Sequence, residues 1–522
     1  MEKISTNYQL AIKELGMKNW AKSIHHFENS FLKNEPLGEQ SLLYLLALQN
    51  QHGQGEAQNI SLLEEAIQRY PTVDKWHAAL AEHYMAAGNY EKAVSQIEQA
   101  LALNPANATA MVNRACWKSG RAGDGLESKR LFEEWGQRFM DPLTDAAAPL
   151  SVRNMAANKR LKVGYVSGDL KNHSVRYFIE AYFRHHDRQQ FEIHAFMTLP
   201  GDEVTEWLKP LVDCWHDVAE LCDSDLLTRI RATEIDVLVD LSGHTHGERL
   251  AVFAQRAAPV QVTWFGFMQT LGMRAMDWRL TDHAATPLAT DDFYTERLYR
   301  LNCMVTYTPP LNADELYDSP YKTNGYVTMV CLNHSRKISD EALQVWARIL
   351  NENPQAGLIL ISSEKASETS LLEFEARIKR QGLPLERVTV TGRLTMAAFM
   401  RMAMVADFAL DSFPVSGGTT TLHALWMGLP TLTLDKTESG AIQGATAAIQ
   451  RGCGLADAVA QDIDDYVSKA GDWIREPQKI DALRAHCRSG IKTSDLMAYE
   501  VRTRELEAAY RLMWKEYRVL SA

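Results

Sequence analysis

DSFPVSGGTTTLHALWMGLPTLTL, residues 411–434, is the stretch that decides the fold. An apolar strand (FALDSF, 408–413) runs out at Asp411, a Pro/Ser/Gly loop follows, and a helix begins near Thr419 and Thr420. PTLTLD (430–435) then reads as the next strand. Strand, loop, helix and strand in succession belong to a parallel sheet covered by helices. Two glycines before the helix let backbone N–H groups point outward. The helix N-terminus adds positive dipole and the threonine hydroxyls add donors. That is an environment for a pyrophosphate, although many such turns are purely structural. GxGxxG and the Walker lysine are both missing, so neither a dinucleotide nor an NTPase signature is present.

The same alternation extends in both directions. After Pro320 the strands are YVTMVCLN (326–333), AGLILISS (356–363) and RVTVTG (387–392), with helices near 339–352, 366–381, 395–405 and 419–428. Before it lie LKVGYVSG (161–168), FEIHAFMT (191–198), IDVLVDLSG (235–243), VQVTWFGF (260–267) and WRLTD (278–282), with helical stretches at 174–187 and 222–233. This predicts two Rossmann-like lobes, 161–317 and 318–474, whose ligand lies beyond the carboxyl ends of the strands. Residues 475–522 read as helices that return to the first lobe.

The first 140 residues contain no convincing strand. Pro36, Pro71 and Pro105 stand 35 and 34 residues apart, the signature of a helical repeat. The clearest unit is 74–105, with Leu80, Ala81, Tyr84, Gly88, Tyr90, Ala93, Ile97, Ala100 and Pro105. Its alanines let two helices approach, and Gly88 marks the turn between them. Residues 40–71 repeat the pattern through Leu46, Ala47, Leu63, Ala66 and Pro71. A degenerate first unit carries Gly16, Trp20, Phe27 and Pro36, and a further helical pair covers 106–138. These repeats resemble the 34-residue tetratricopeptide repeat, whose stacks present a concave surface to peptide or protein. The Ala/Pro-rich stretch 141–160 reads as a linker. The organisation is thus an α-helical repeat domain (1–140) followed by an α/β region.

Composition is that of an ordinary globular protein: 522 residues, 46% hydrophobic and 23% charged. A formal charge of −11 offers no global attraction to nucleic acid or anionic lipid. No apolar run is long enough for a membrane span, and the N-terminus lacks the apolar core of a secretory signal. The seven cysteines are scattered without CxxC or Cys/His ligand spacing. A reduced, cytoplasmic setting is the expectation.

Three further segments carry chemically able residues. CLNHSRKIS (331–339) puts His334, Arg336 and Lys337 at a strand end, where cations suit a diphosphate, or simply form a solvated loop. GYVSGDLKNHS (164–174) offers Asp169 and His173 before a helix, with His173 a candidate base or orienting group. SGHTHGERL (242–250) offers His244 and His246, which serve equally well as turn residues. No carboxylate completes a metal cluster around them, so no metal is expected.

Taken together, GYVSGDLKNHS, DVLVDLSGHTHGERLAVFAQRAAPVQVTWFGF, RLTDHAATP, LNHSRKIS with VWARIL, and ADFALDSFP with GGTTTLHALWMGLPTLTL resemble the O-GlcNAc transferase/SPINDLY family of glycosyltransferases. Their order and spacing agree over residues 161–456, and the preceding tetratricopeptide repeats agree as well. The resemblance implies a two-lobed GT-B fold. It also implies inverting, metal-independent transfer of a sugar, GlcNAc or another hexose, from a UDP-sugar to a protein side chain, with a Ser/Thr hydroxyl favoured. The repeats would recruit the acceptor protein. It further implies that Lys337 contacts the donor diphosphate, with His334 and Arg336 beside it. Gly418, Thr419 and Thr420 hold the phosphates, Gly266 lies near the donor, and His173, Asp169 and His244 lie near sugar and acceptor. Three positions depart from the family pattern, with Arg336 and Arg393 the candidates to substitute for lost contacts. Ser416 opens SGGTT where NGHTT or NGGTT is usual. His423 stands where a ribose-contacting carboxylate is usual, and Met396 where a donor-contacting lysine is usual. Two other readings predict different outcomes: a non-catalytic repeat adaptor with a decayed sugar site, and a GT-B enzyme acting on a small molecule or a lipid-linked acceptor.

Overall fold

The computed structural model describes residues 6–521 apart from 36, 53–55, 123–124, 312, 314 and 362–367. Pro36, one of the three spaced prolines, therefore lies outside the described residues. The chain divides into two compact units. One comprises Met1–Ala110, His334–Ala347 and Ile359–Leu394, and the other comprises Met111–Asn333, Arg348–Leu358 and Thr395–Ala522.

The first unit carries the repeats as the helices Thr6–Gly16, Trp20–Leu32, Gly38–His52, Glu56–Arg69, Asp74–Ala86 and Tyr90–Leu103. In the pair Asp74–Ala86 and Tyr90–Leu103, Ala81, Ala93, Ala100 and Ile97 are completely buried. Small residues bring the axes close and Ile97 fills the space left over. Gly88 turns the chain at φ +76°, a left-handed conformation that favours glycine. The second repeat is looser than its spacing suggests: Leu46, Leu63 and Ala66 are buried, but Ala47, the counterpart of Ala81, is exposed.

The α/β region contains β1 (Leu161–Ser167), β2 (Phe191–Met197), β3 (Cys214–Asp217), β4 (Val237–Asp240), β5 (Val260–Thr263), β6 (Trp278–Asp282) and β7 (Arg297–Leu301). It continues with β8 (Thr328–Cys331), β9 (Gly357–Ile361), β10 (Val388–Thr391), β11 (Phe408–Leu410), β12 (Thr431–Leu434) and β13 (Val459–Ala460). The first seven form a sheet in the order β3-β2-β1-β4-β5-β6-β7 and the last six a sheet in the order β10-β9-β8-β11-β12-β13. All pairs with a recorded register are parallel, with Val163 opposite Val237 and Asp240 opposite Thr263. Central strands such as β4 and β5 are buried on both faces, as crossover helices require. The stretches CWHD (β3), RLYRL (β7) and VA (β13) escape sequence reading. They are sheet-end strands, short or half-exposed, and show no apolar run.

Helix runs past residue 140, through a π-turn at Gly136–Met140 to the short helix Asp141–Asp145, so the irregular connection occupies only 146–160. The last helical pair is built against the first lobe by backbone contact. A Cβ on Gly272 (φ +72°) would fall 2.2 Å from the Phe132 carbonyl, and one on Gly136 would fall 1.9 Å from the Gly272 oxygen. The predicted return of the C-terminus is present. In the helix Tyr499–Leu520, Tyr510 meets the Tyr165 hydroxyl at 3.2 Å and Glu507 holds His186 Nδ1 at 3.0 Å. Among the described residues no helix is long and apolar enough to cross a membrane.

Candidate functional site

Asp411 follows β11 and is 2% exposed. Its carboxylate accepts from Gly417 N–H at 2.8 Å, from Asn333 Nδ2 at 2.7 Å and from the Thr433 hydroxyl at 2.7 Å. Burial pushes the Asp411 carboxyl above its ordinary range and these donors pull it back. The residue thereby ties the glycine loop to β12 and to the loop after β8. Asn333 completes the tie, accepting the Thr420 hydroxyl at 2.5 Å. Thr420 thus spends its hydroxyl proton inside the protein, so in this arrangement that hydroxyl has no proton to give a phosphate. The two glycines differ. A Cβ on Gly417 would lie 2.5 Å from Thr421 Oγ1 and 2.9 Å from Thr420 Oγ1, whereas one on Gly418 would meet nothing within 4 Å. Gly418 is the N-cap of the helix Thr419–Trp426, with open space beside it. Gly417→Ala should therefore lower the thermal midpoint measurably, and Gly418→Ala should leave it in place. Equal destabilisation by the two would contradict this packing.

The first lobe repeats the device. Asp240 at the end of β4 accepts from Ser242 N–H and Gly243 N–H at 3.0 Å and from the Thr263 hydroxyl at 2.8 Å. Each lobe thus has a buried aspartate at a strand end, holding a glycine-containing loop and a threonine from the neighbouring strand. Neither aspartate belongs to the predicted site set. The signal was available in the paired strings VDLSG and LDSFPVSGG. Gly266 presses against this loop: a Cβ there would stand 1.7 Å from the Leu241 oxygen. Arg279 secures the chain beyond it, donating to the Phe267 carbonyl at 2.8 Å and to that of Gln269.

The three predicted histidines of this unit occupy different environments. His173 has 45% of its side chain exposed, with Nδ1 3.6 Å from Asp169 Oδ2. Burial of the rest lowers its affinity for a proton, Asp169 raises it and Lys171 lowers it. Nδ1 accepts from Val175 N–H at 3.4 Å, so the proton of the neutral ring sits on Nε2, and service as a base requires Nδ1 to be released from that bond. His244 sits instead in an aromatic cage. It stacks on Phe132 at 5.0 Å, meets Trp135 and Phe267 edge-on at 4.6 and 5.3 Å, and has Nε2 3.0 Å from the Leu271 carbonyl. It fastens the last repeat helix to the lobe. His423 is 3% exposed, packed against Tyr177 and Phe399, with Nδ1 2.8 Å from the Tyr307 hydroxyl. It joins the helix Thr419–Trp426 to Tyr307 and Tyr177 of the preceding lobe. Met396, a further departure, opens the short helix Met396–Phe399 and is 40% exposed.

Burial pushes His244 down to about 4 and His423 down to about 3, the second aided by Arg176. A histidine with a folded value below its unfolded 6.5 takes up its proton on unfolding. Its stabilisation is complete above pH 6.5 and declines as pH falls toward the folded value. Stability should fall by about 1.4 kcal/mol per pH unit for each residue between pH 6 and 4. Denaturant titrations across that range should show a shallower slope in His244→Phe and in His423→Phe. An unchanged slope in both would refute the assignment.

The cation loop lies in the first unit. His334 caps the single turn Ser335–Lys337, its Nδ1 accepting from Arg336 N–H at 3.2 Å. Burial, then Arg336, Lys337 and Arg393, push His334 down to about 4. Arg393, paired with Arg336 in the sequence reading, acts on the same histidine. Arg377, 5% exposed, holds the loop from below: its Nη2 donates to the Ile338 carbonyl at 2.7 Å and its Nε to Asp340 Oδ1 at 2.9 Å. The repeat turn packs on that guanidinium, since a Cβ on Gly88 would lie 2.4 Å from it. Sequence reading misses Arg377 because no motif surrounds it.

The sequence profile of glycosyl transferase family 41 matches residues 143–307 and 310–506, and a tetratricopeptide-repeat profile matches 55–114. The chain belongs to glycosyl transferase family 41. Within this family it is similar to a Thermobaculum terrenum O-GlcNAc transferase, solved as a lysine-to-methionine variant. The TM-score is 0.88 at 30% identity, covering 99% of this chain and 98% of that one. The family 41 chain is also similar to a probable UDP-N-acetylglucosamine–peptide N-acetylglucosaminyltransferase SPINDLY from Hordeum vulgare, 32% identical over 393 residues. A second plant relative, the probable peptide N-acetylglucosaminyltransferase SEC of Arabidopsis thaliana, is 27% identical over 389 residues. These matches cover 74% and 72% of this chain but only 41% and 39% of the plant proteins, so the chain spans about two fifths of their length. The fold is the GT-B fold of the family, preceded by tetratricopeptide repeats.

Proposed function

We propose that the protein transfers a sugar, GlcNAc or another hexose, from a UDP-sugar to a protein side chain, with Ser/Thr hydroxyls favoured. The observation that carries this reading is the end-to-end likeness to the Thermobaculum terrenum O-GlcNAc transferase, repeats and both lobes included. In the proposed reaction the acceptor oxygen forms a bond to the anomeric carbon as the bond to the diphosphate oxygen breaks, with inversion. UDP departs with the bonding electrons. The acceptor proton goes to His173, or to the departing phosphate.

Charge developing on the β-phosphate is the main barrier to such a displacement. The proposal assigns its neutralisation to Lys337, with Arg336 and His334 beside it, and to the helix N-terminus at Gly418 and Thr419. No metal is required in this scheme. Gly266 shapes the loop near the donor, and Asp169 orients His173. His244 and His423 act through packing, which in this reading replaces the ribose contact usual at the latter position. The repeats recruit the acceptor protein and raise its effective concentration at the reacting centre.

Calorimetric titration with UDP, GDP and their sugars in metal-free buffer tests the donor half. Micromolar UDP binding, abolished in Thr419→Ala/Thr420→Ala, supports the reading, and absence of binding by every nucleotide supports a repeat adaptor. Incubation with labelled UDP-GlcNAc and a cell lysate tests the acceptor half, label on protein being the expected result. His173→Ala should reduce that transfer by roughly 10²–10⁴-fold if His173 is the base. A smaller loss would leave it a positioning role.

A further inference from the structure

Glu192 and His194 alternate along β2, and Cys214 and His216 alternate along β3, so each pair occupies one face of its strand. The parallel register sets His194 opposite Cys214 and Phe196 opposite His216, and β3 is the end strand of its sheet. Separations in the sequence show no Cys/His ligand cluster; the register creates one. One ligand atom each from Glu192, His194 and Cys214 lies within 4.8 Å of the other two. The surroundings orient this set. His194 Nε2 is 2.9 Å from Glu192 Oε1, and His194 Nδ1 is 3.1 Å from His216 Nε2. Arg160 occupies the other carboxylate oxygen, Oε2, at 3.2 Å, leaving Oε1 turned toward the histidine. Phe196 stacks on His216 at 4.5 Å and closes that side.

We propose that Glu192, His194 and Cys214 form a zinc site, with His216 orienting the His194 ring and the fourth position open to water. A thiolate, an imidazole and a carboxylate are a donor set that zinc accepts in a tetrahedral arrangement. The sulfur disfavours magnesium and calcium, which prefer oxygen. Zinc replaces the Cys214 thiol proton, which passes to solvent, and takes the place of the His194–Glu192 hydrogen bond. His216 then serves as the outer partner that a metal-bound imidazole ordinarily has. The bound ion would pin the end strand β3 to β2. Neither strand supplies a residue to the Asp240 or Asp411 loops, so this site is independent of sugar transfer.

The test uses the full chain, stripped by chelator and titrated with zinc against a chromophoric competitor, and separately loaded with cobalt. One equivalent of zinc should bind, and the cobalt form should show a thiolate-to-metal charge-transfer band. Cys214→Ser and His194→Gln should each weaken zinc binding by about 100-fold or more. Cys222→Ser, which alters an exposed thiol elsewhere, should leave binding unchanged. Absence of stoichiometric uptake, or uptake equal in all variants, would overturn the proposal. The cobalt band is read on the unaltered chain, so its absence overturns the proposal even where a variant fails to fold.

Discussion

Lys337→Ala should reduce sugar transfer by roughly 10²–10³-fold while changing UDP affinity by less than about tenfold. The asymmetry follows from where the charge is needed. In the proposed reaction the diphosphate is already anionic when bound, and Arg336 and Arg393 share the task of holding it. As the glycosidic bond breaks, additional charge accumulates on the leaving oxygen, and a cation with the role proposed for Lys337 acts mainly in the transition state. His334 is pushed down to about 4 by burial first and then by Arg336, Lys337 and Arg393, the three cations that stand around this loop. Turnover under saturating donor and a direct UDP titration separate the two effects. Equal losses in both would reduce Lys337 to a binding residue.

Gly266→Ala should destabilise the protein by about 3 kcal/mol or more, a size reserved for core disruption. The added carbon would lie 1.7 Å from the Leu241 oxygen, 2.1 Å from its carbonyl carbon and 2.8 Å from Ser242 N. All three are backbone atoms, and the loop that carries them is tied by Asp240 to Ser242 N–H, Gly243 N–H and Thr263. Neither side can yield without breaking buried hydrogen bonds, whose loss costs about 1–3 kcal/mol each. Urea unfolding of this variant beside Gly418→Ala provides the comparison, because a Cβ on Gly418 meets nothing. Wild-type stability in Gly266→Ala would show that the 266 loop moves freely.

Most of the α/β order was legible because crossover strands are apolar runs bounded by small and polar residues, as in VLVD and VQVT. The end strands β3 and β7 were not, since CWHD and RLYRL face solvent in part and need no apolar continuity, whereas the end strand β10 was legible in RVTVTG. The glycine loop of 416–420 announced itself, but the difference between Gly417 and Gly418 did not. That difference depends on Thr421, Thr420 and Asn333 arriving beside one glycine and not the other. His173, His244 and His423 look alike in sequence, each a histidine near a strand end or helix start. Folding leaves the first half-exposed beside Asp169 and closes the other two among aromatic rings.

Local pattern alone determined the helical repeats, the parallel sheets and the order of the loops that carry glycines and cations. Periodicity and turn chemistry act over a few residues, so a linear reading captures them. Tertiary structure decided everything that depends on long-range approach. It paired Asp411 with Asn333, set Arg377 beneath the Ile338 carbonyl with the Gly88 turn against it, and aligned Glu192, His194 and Cys214 on one face. Glu192 and His194 aside, these residues stand tens to hundreds of positions apart. Only strand register and helix packing, which bury the apolar faces, bring their polar groups within bonding distance.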